Sequence, residues 1–222
     1  MATINYLAIH NTGGTLYDPF LSTQNLSWQQ LNDIHRERWI REGYNAFYSM
    51  MLSNASIKYW GGYNVFIEKD GSYRQFRAIG EETGAQKGHN FDTISICLAG
   101  NFTLWNGVPV DSPTEAQKKQ LTIFLEAIQD GKTADLLVVK PDTTISVPIA
   151  NILPHRRLQV GGSTACFGDA LPDDWGQKLL VPYLIRKLGI LQKLLALYLS
   201  LRNSVGRLGV MKGWNNCFEN PQ

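Results

Sequence analysis

A histidine and a cysteine stand close together in the last third of this sequence. His155 lies in the segment Pro154-His155-Arg156-Arg157, and Cys166 follows eleven residues later. The intervening Gly161-Gly162-Ser163 can fold back sharply, because glycine adopts backbone angles that other residues avoid. Converging with a third nitrogen, the two side chains would form a ligand set that zinc prefers, with a fourth position open for water. The pair also fits a cysteine hydrolase, in which His155 activates the Cys166 thiol.

The other histidines and cysteines give weaker signals. His10 ends a predicted strand, where a lone histidine is usually a hydrogen-bonded structural residue. His35 falls inside a predicted helix, and we expect it at the surface or in packing. Cys97 lies in an apolar strand and is predicted to be an inert buried thiol, while Cys217 is predicted to be a free thiol. Three cysteines do not build a disulfide framework.

Hydrophobic periodicity and turn residues predict the elements that position these side chains. Strands are predicted over residues 4–10, 63–67, 72–77, 93–99, 136–139 and 145–152. A helix is predicted over residues 27–52 with Ser27 as its cap, and a second from the capping box Ser112-Pro113-Thr114-Glu115 through about Gln129. The mixed order predicts an α/β fold, with a single mixed β-sheet flanked by helices.

The charge distribution divides the chain. Residues 1–175 carry 14 Lys and Arg against 18 Asp and Glu, whereas residues 176–222 carry seven against one. We therefore predict one domain over residues 1–175 and a basic amphipathic helical extension over residues 176–222, with a helix at residues 183–201. The sequence leaves three alternatives for this helix: it packs back on the domain, it forms a homodimer with a twin chain, or it lies on an anionic membrane or envelope surface.

Composition excludes several classes of protein. A chain that is 44% hydrophobic and 18% charged is not disordered, collagen-like or a long coiled coil. No apolar run reaches the roughly 18 residues that span a bilayer. The first residues, MATINYLAIHNTGG, lack the pattern of a signal peptide, so we expect cytoplasmic synthesis. Nothing resembles a sequence-reading nucleic-acid module, and no nucleic-acid partner is expected.

Six segments in order carry a family resemblance over roughly residues 4–175. They are His10 at a strand end, GYNVFIEKDG at 62–71, GAQKGHN at 84–90, ISICLAGNF at 94–102, His155-Arg156 and Thr164-Ala165-Cys166. Together they resemble the zinc-dependent N-acetylmuramoyl-L-alanine amidases, the superfamily shared with peptidoglycan recognition proteins and amidase-type phage lysozymes.

The resemblance implies a site and a reaction. It makes His10, His155 and Cys166 the ligands of one Zn²⁺ per chain, places Tyr63 beside the metal and points Thr164 at the reacting carbonyl. It implies hydrolysis of the amide between the lactyl group of N-acetylmuramic acid and L-alanine, by a phage endolysin or a cell-wall lytic or recycling enzyme. The alternative on the same fold is a non-catalytic peptidoglycan-binding protein. Substrate contacts are predicted at Gln86, His89 and Asn90.

The implied chemistry is consistent with the residue types. Zinc polarises a carbonyl and lowers the pKa of water, and the hydroxyls of Tyr63 and Thr164 can donate to a developing oxyanion. Tyr63 is predicted to stabilise the oxyanion or orient water before it acts as a base, because a phenol has a pKa near ~10. Three positions depart from the family pattern: Gln86 replaces a histidine, Arg157 an aspartate and Phe167 a proline.

Overall fold

The structure is a computed structural model that describes residues 2–13, 25–161, 164 and 166–213, with side chains described to residue 199. The chain divides into two compact units, Met1–Leu180 and Val181–Gln222. The division follows Leu180, whereas the sequence placed a boundary after Trp175. Cys217 lies outside the described residues.

The first unit is built on a five-stranded mixed sheet. The strands of this unit are β1 Ala2–Ile4, β2 Tyr6–Asn11, β3 Val65–Ile67, β4 Tyr73–Gln75, β5 Thr93–Leu98, β6 Leu104–Trp105, β7 Val108–Pro109, β8 Thr143–Ile145 and β9 Ile152–Pro154. The order in the five-stranded sheet is β4-β3-β5-β2-β9, in which β4 is antiparallel to β3 and the other pairs are parallel. β1 and β8 form a parallel pair, and β6 and β7 a hairpin. The predicted mixed α/β fold is confirmed.

The middle of the sheet forms the core beneath the site. Every residue of β5 is buried, as its apolar sequence predicts for a strand with neighbours on both sides. Cys97 lies in register with His10 of β2 and Phe66 of β3, and its side chain is fully buried, as predicted. Parallel strands in register place these three side chains on one face of the sheet.

Helix α1 spans Trp28–Arg41 and is shorter than predicted. Ser27 caps it as expected: its Oγ accepts the Gln30 N–H at 3.3 Å, and Gln30 Oε1 accepts the Ser27 N–H at 2.8 Å. The prediction that it continues to residue 52 is wrong. Gly43 adopts φ 88°, and the N–H of Tyr44 bonds the Trp39 carbonyl, which is the Schellman motif that ends helices.

Helix α2 spans Glu115–Gln129, and its predicted cap is wrong by two residues. Thr114, not Ser112, is the cap, and Gln117 completes the capping box. The Thr114 hydroxyl also donates to the Lys69 carbonyl at 2.7 Å. The buried Gln117 amide donates to the carbonyls of Ile67 and Ala99, so the helix start is tied to the sheet.

The predicted strands at 136–139 and 145–152 are largely wrong. Val139 makes only an isolated bridge with Ile79, and residues 149–151 form a 3-10 turn between β8 and β9. Pro148 lacks the N–H that a continuous strand would need. Two short helices follow, α3 at His155–Leu158 and α4 at Trp175–Lys178.

The described part of the second unit is one long helix, α5, which spans Val181–Gly213. It is longer than predicted at both ends, and Pro182 stands in its first turn, where no backbone donor is lost. Among the described residues, no helix combines the length and apolar content needed to cross a membrane.

Candidate functional site

His10 and His155 are brought together by two neighbouring parallel strands. His10 lies near the carboxyl end of β2, and His155 follows directly after β9. Because Ile9 is paired with Pro154, both imidazoles emerge at the same edge of the sheet, and their ring centroids lie 4.5 Å apart. Carboxyl ends of parallel strands are the usual place for binding sites in such sheets.

Cys166 reaches this edge from the loop after α3. Its N–H donates to Thr164 Oγ1 at 3.2 Å, and its carbonyl accepts the Arg156 N–H at 2.8 Å. The sulfur lies 3.7 Å from His10 Nδ1 and 3.4 Å from Asn11 Oδ1. One ligand atom from each of His10, His155 and Cys166 lies within 4.8 Å of the other two.

These three residues fit a zinc ion. A tetrahedral zinc with bonds of about 2.0 Å to nitrogen and about 2.3 Å to sulfur would separate those atoms by about 3.5 Å, close to the 3.7 Å between His10 Nδ1 and Cys166 Sγ. His10 Nε2 and both His155 nitrogens are buried and make no hydrogen bond of acceptable geometry within the described chain. Buried polar atoms of this kind call for a partner.

The protonation states agree with metal binding. Burial, reinforced by His155, holds the pKa of His10 well below its usual value. Burial lowers the pKa of His155 to about 4, although Gln159 opposes the shift. Both imidazoles are therefore neutral near pH 7, as ligands must be. Burial raises the pKa of Cys166 to about 12, so the thiol needs a nearby cation to lose its proton.

Tyr63 lies beside the three candidate ligands. Its ring centroid is 4.9 Å from that of His10, and both residues line the same cavity. Burial, together with Cys97 and Cys166, raises the pKa of the Tyr63 phenol well above its usual value. The hydroxyl thus keeps its proton at neutral pH and can donate a hydrogen bond.

The candidate ligands open into a cavity of about 530 Å³. Thr164, which the resemblance points at the reacting carbonyl, lines this cavity, and its hydroxyl accepts the Cys166 N–H and so supports the ligand loop. Trp105 and Asp169 line the cavity from the β6–β7 side, where Asp169 accepts the Leu104 N–H at 2.6 Å.

His35 is a cavity residue that the sequence analysis missed. Its Nδ1 accepts the Gly62 N–H at 2.9 Å, and its ring centroid lies 5.5 Å from that of Tyr63. Burial, helped by Arg38 and Arg77, lowers the pKa of His35 to about 4. A signal was present: His35 lies four residues from both Leu31 and Trp39, the two buried residues of α1.

A second cavity of about 510 Å³ continues past His155. Arg38, Gly84 and Ala85 line both cavities, so the two form one groove across the site. Arg38 stacks on the Trp39 ring and donates to Glu42. Its guanidinium therefore lies at the junction of the two cavities with the Glu42 carboxylate as its ion-pair partner, a position that the sequence analysis did not assign.

The three predicted substrate contacts are placed differently from one another. Gln86 is fully buried beside His10, whose pKa its amide raises, and it does not line the groove. His89 lies outside both cavities, with Nδ1 at 3.1 Å from the carboxylate of Asp92. Asn90 lines the second cavity, and its Oδ1 accepts the Gln86 N–H at 2.7 Å. Only Asn90 therefore faces the groove.

The N-acetylmuramoyl-L-alanine amidase family, Amidase_2, matches residues 1–169. This chain belongs to that family. The amidase match covers all the strands of the first unit and each candidate ligand, which agrees with the resemblance noted in the sequence. A comparison with curated proteins finds no match.

Several solved structures are similar to this amidase-family chain. The endolysin N-acetylmuramoyl-L-alanine amidase LysCS from Clostridium intestinale URNW is 17% identical, with a TM-score of 0.49 over 81% of this chain and 83% of that one. A mutant of Drosophila peptidoglycan recognition protein LB, in complex with tracheal cytotoxin, is 14% identical, with a TM-score of 0.46 over 77% and 79%. Bumblebee peptidoglycan recognition protein SA is 15% identical, with a TM-score of 0.47 over 80% of both chains.

Proposed function

We propose that this chain is a zinc-dependent N-acetylmuramoyl-L-alanine amidase that cleaves the amide between N-acetylmuramic acid and L-alanine in peptidoglycan or its fragments. The observation that carries the proposal is the convergence of His10, His155 and Cys166 within 4.8 Å at the floor of an open groove. Two imidazoles and one thiolate make a catalytic rather than a structural zinc site, because one coordination position stays open. Bound there, zinc would supply Lewis-acid chemistry for amide hydrolysis.

The surrounding residues supply binding and proton donation. The Tyr63 ring lies 4.9 Å from that of His10, and its hydroxyl, protonated at neutral pH, would donate a hydrogen bond to the oxygen that gains charge during hydrolysis. Thr164 holds the Cys166 backbone and so fixes the ligand loop. Arg38 lies where the two cavities meet, paired with Glu42, and a guanidinium has five N–H donors, so it would also donate to polar groups of a stem peptide.

Two alternatives differ in what they require of the same residues. A cysteine hydrolase needs a thiol whose pKa is lowered, but burial raises that of Cys166 to about 12. A non-catalytic peptidoglycan-binding protein needs the groove but has no use for three converging ligands. We therefore favour the amidase, working as a phage endolysin or a cell-wall lytic or recycling enzyme, with muropeptide as its substrate.

Metal content and hydrolysis of a soluble muropeptide test the proposal together. We expect one zinc ion per chain in the wild type, and loss of both zinc and activity in His10→Ala, His155→Ala and Cys166→Ser. His89→Ala is the matched control and should keep both, because His89 lies outside the groove. Activity that survives a strong chelator would indicate the cysteine hydrolase, and muropeptide binding without cleavage by the zinc-loaded chain would indicate the binding protein.

A further inference from the structure

Helix α5 presents an apolar surface along the part whose side chains are described. From Leu184 to Leu199 every residue except Gly189 is exposed, and ten of these exposed residues are Leu, Ile or Tyr. Ile185 is 67% exposed and Leu191 61%. Contiguous apolar surface of this extent marks an interaction site rather than ordinary surface.

Apolar side chains occupy most of the circumference of this helix. At about 100° per residue, the apolar positions from 181 to 199 cover roughly 260° of the circumference. Arg186 and Lys193 share the remaining narrow stripe, and Lys187 interrupts the apolar arc, with its Nζ over the Tyr183 ring at 5.4 Å. A two-helix seam buries a much narrower stripe, so a twin helix would leave much of this surface in water.

The positive charge of this helix favours an anionic partner over a second copy of the chain. Arg186, Lys187 and Lys193 lie in the described part, and the sequence has no acidic residue between Asp174 and Glu219. A second copy would bring only the same positive charge to the interface. An anionic surface is complementary, and one with a hydrocarbon layer also accommodates the apolar arc.

We propose that α5 docks in the plane of an anionic phospholipid bilayer, with its apolar arc in the upper acyl layer and its basic side chains among the phosphates. Lys187 can extend from the arc to the headgroups because its long side chain carries the charge away from its backbone position. Hydrolysis is not involved, so this proposal stands or fails independently of the proposed amidase activity.

Vesicle co-sedimentation of the full chain tests the docking. We expect binding to vesicles of equal parts phosphatidylglycerol and phosphatidylcholine, and much weaker binding to phosphatidylcholine alone. Replacing Arg186, Lys187 and Lys193 together by Gln should weaken binding to the anionic vesicles about 100-fold, at about fivefold for each charge. The matched control carries Lys119→Gln, Lys132→Gln and Lys140→Gln, three exposed lysines of the first unit, and should bind like the wild type.

A second variant tests the apolar arc. Leu188→Gln, Leu191→Gln and Leu195→Gln keep the charge and favour helix, and together they should abolish vesicle binding at high salt, where charge attraction is screened. Wild-type binding by this variant would overturn the proposal, since attraction to a polyanion would then suffice. An equal loss in the lysine control, or no binding by the full chain, would also overturn it. So would a stable dimer that this variant dissociates and that does not bind vesicles.

Discussion

Arg156 and Asp173 form an ion pair that closes the loop carrying Cys166. Arg156 Nε donates to Asp173 Oδ1 at 2.8 Å, and its other nitrogens donate to the carbonyls of Gly168 and Leu171. Arg157 also pairs with Asp173. The Asp173 carboxylate thus binds Arg156, the residue after His155, and itself lies in the loop that follows Cys166. It therefore connects the two segments that carry these candidate ligands.

Removing that carboxylate should weaken metal binding. We expect Asp173→Asn to lower zinc affinity about 10- to 100-fold, the usual cost of losing a group that orients ligands. Competition with a chelating indicator measures the affinity. Asp174→Asn is the control, because its pair with Lys178 is exposed on both sides and should leave zinc affinity unchanged. Equal affinities for Asp173→Asn and the wild type would show that the loop holds its position without the pair.

Tyr63 should matter for turnover and not for metal binding. Tyr63→Phe removes a buried hydroxyl that keeps its proton at neutral pH, so kcat should fall by about 100-fold or more while zinc content stays the same. Steady-state hydrolysis of a soluble muropeptide measures the effect. Tyr59→Phe, in the neighbouring aromatic cluster and outside the groove, should keep full activity. A loss confined to KM would instead assign Tyr63 to substrate binding.

How far the sequence predicts this molecule differs from element to element. The apolar run of β5 and the Ser27 cap are local signals, and the structure confirms both. For α2 the sequence predicts a cap at Ser112, whereas Thr114 caps the helix in the structure. The choice between them depends on contacts with Lys69, Ile67 and Ala99, which are distant in the chain.

The candidate site also depends on contacts between residues that are distant in the chain, which the sequence alone does not predict. Residue types and spacing point to His155 and Cys166, but only the family pattern adds His10, because nothing in the spacing of His10 and His155 reveals that β2 and β9 are neighbours. The spacing of His35 from Leu31 and Trp39 indicates the buried face of α1, but its hydrogen-bond partner, the Gly62 N–H, is 27 residues away and has no local signal. Gln86 was predicted to face substrate, but the fold buries it behind His10.

His35 should make stability depend on pH. Its pKa is about 4 in the fold and near 6.5 when unfolded, so between these values the unfolded chain binds the extra proton. Stability should therefore fall as the pH drops from 6.5 to 4, by about 3 kcal/mol at most. The cause is that burial, reinforced by the charges of Arg38 and Arg77, disfavours the protonated imidazole. A protonated Nδ1 also cannot accept the Gly62 N–H.

Thermal denaturation of metal-free protein across this range measures that contribution. His35→Gln does not titrate, so its melting temperature should fall less steeply with acidification than that of the wild type. His10 and His155 titrate in both proteins, and the difference between the two curves isolates His35. Parallel curves would mean that His35 is protonated in the fold without cost.

The division of the chain after Leu180 predicts where it can be shortened. Gly176 of α4 packs so closely on Ile9 and Ile152 that an added Cβ would lie 2.4 Å from Ile9 Cδ1, and Gln177 donates to the Ile152 carbonyl. A chain ending at residue 180 keeps these contacts and should hydrolyse a soluble muropeptide like the full chain. One ending at residue 175 loses them, along with the fully buried Leu180, and should be less stable by about 2 kcal/mol or more. Because β9 positions His155, zinc binding should weaken as well, and equal melting temperatures for the two truncated chains would contradict a role of α4 in supporting the site.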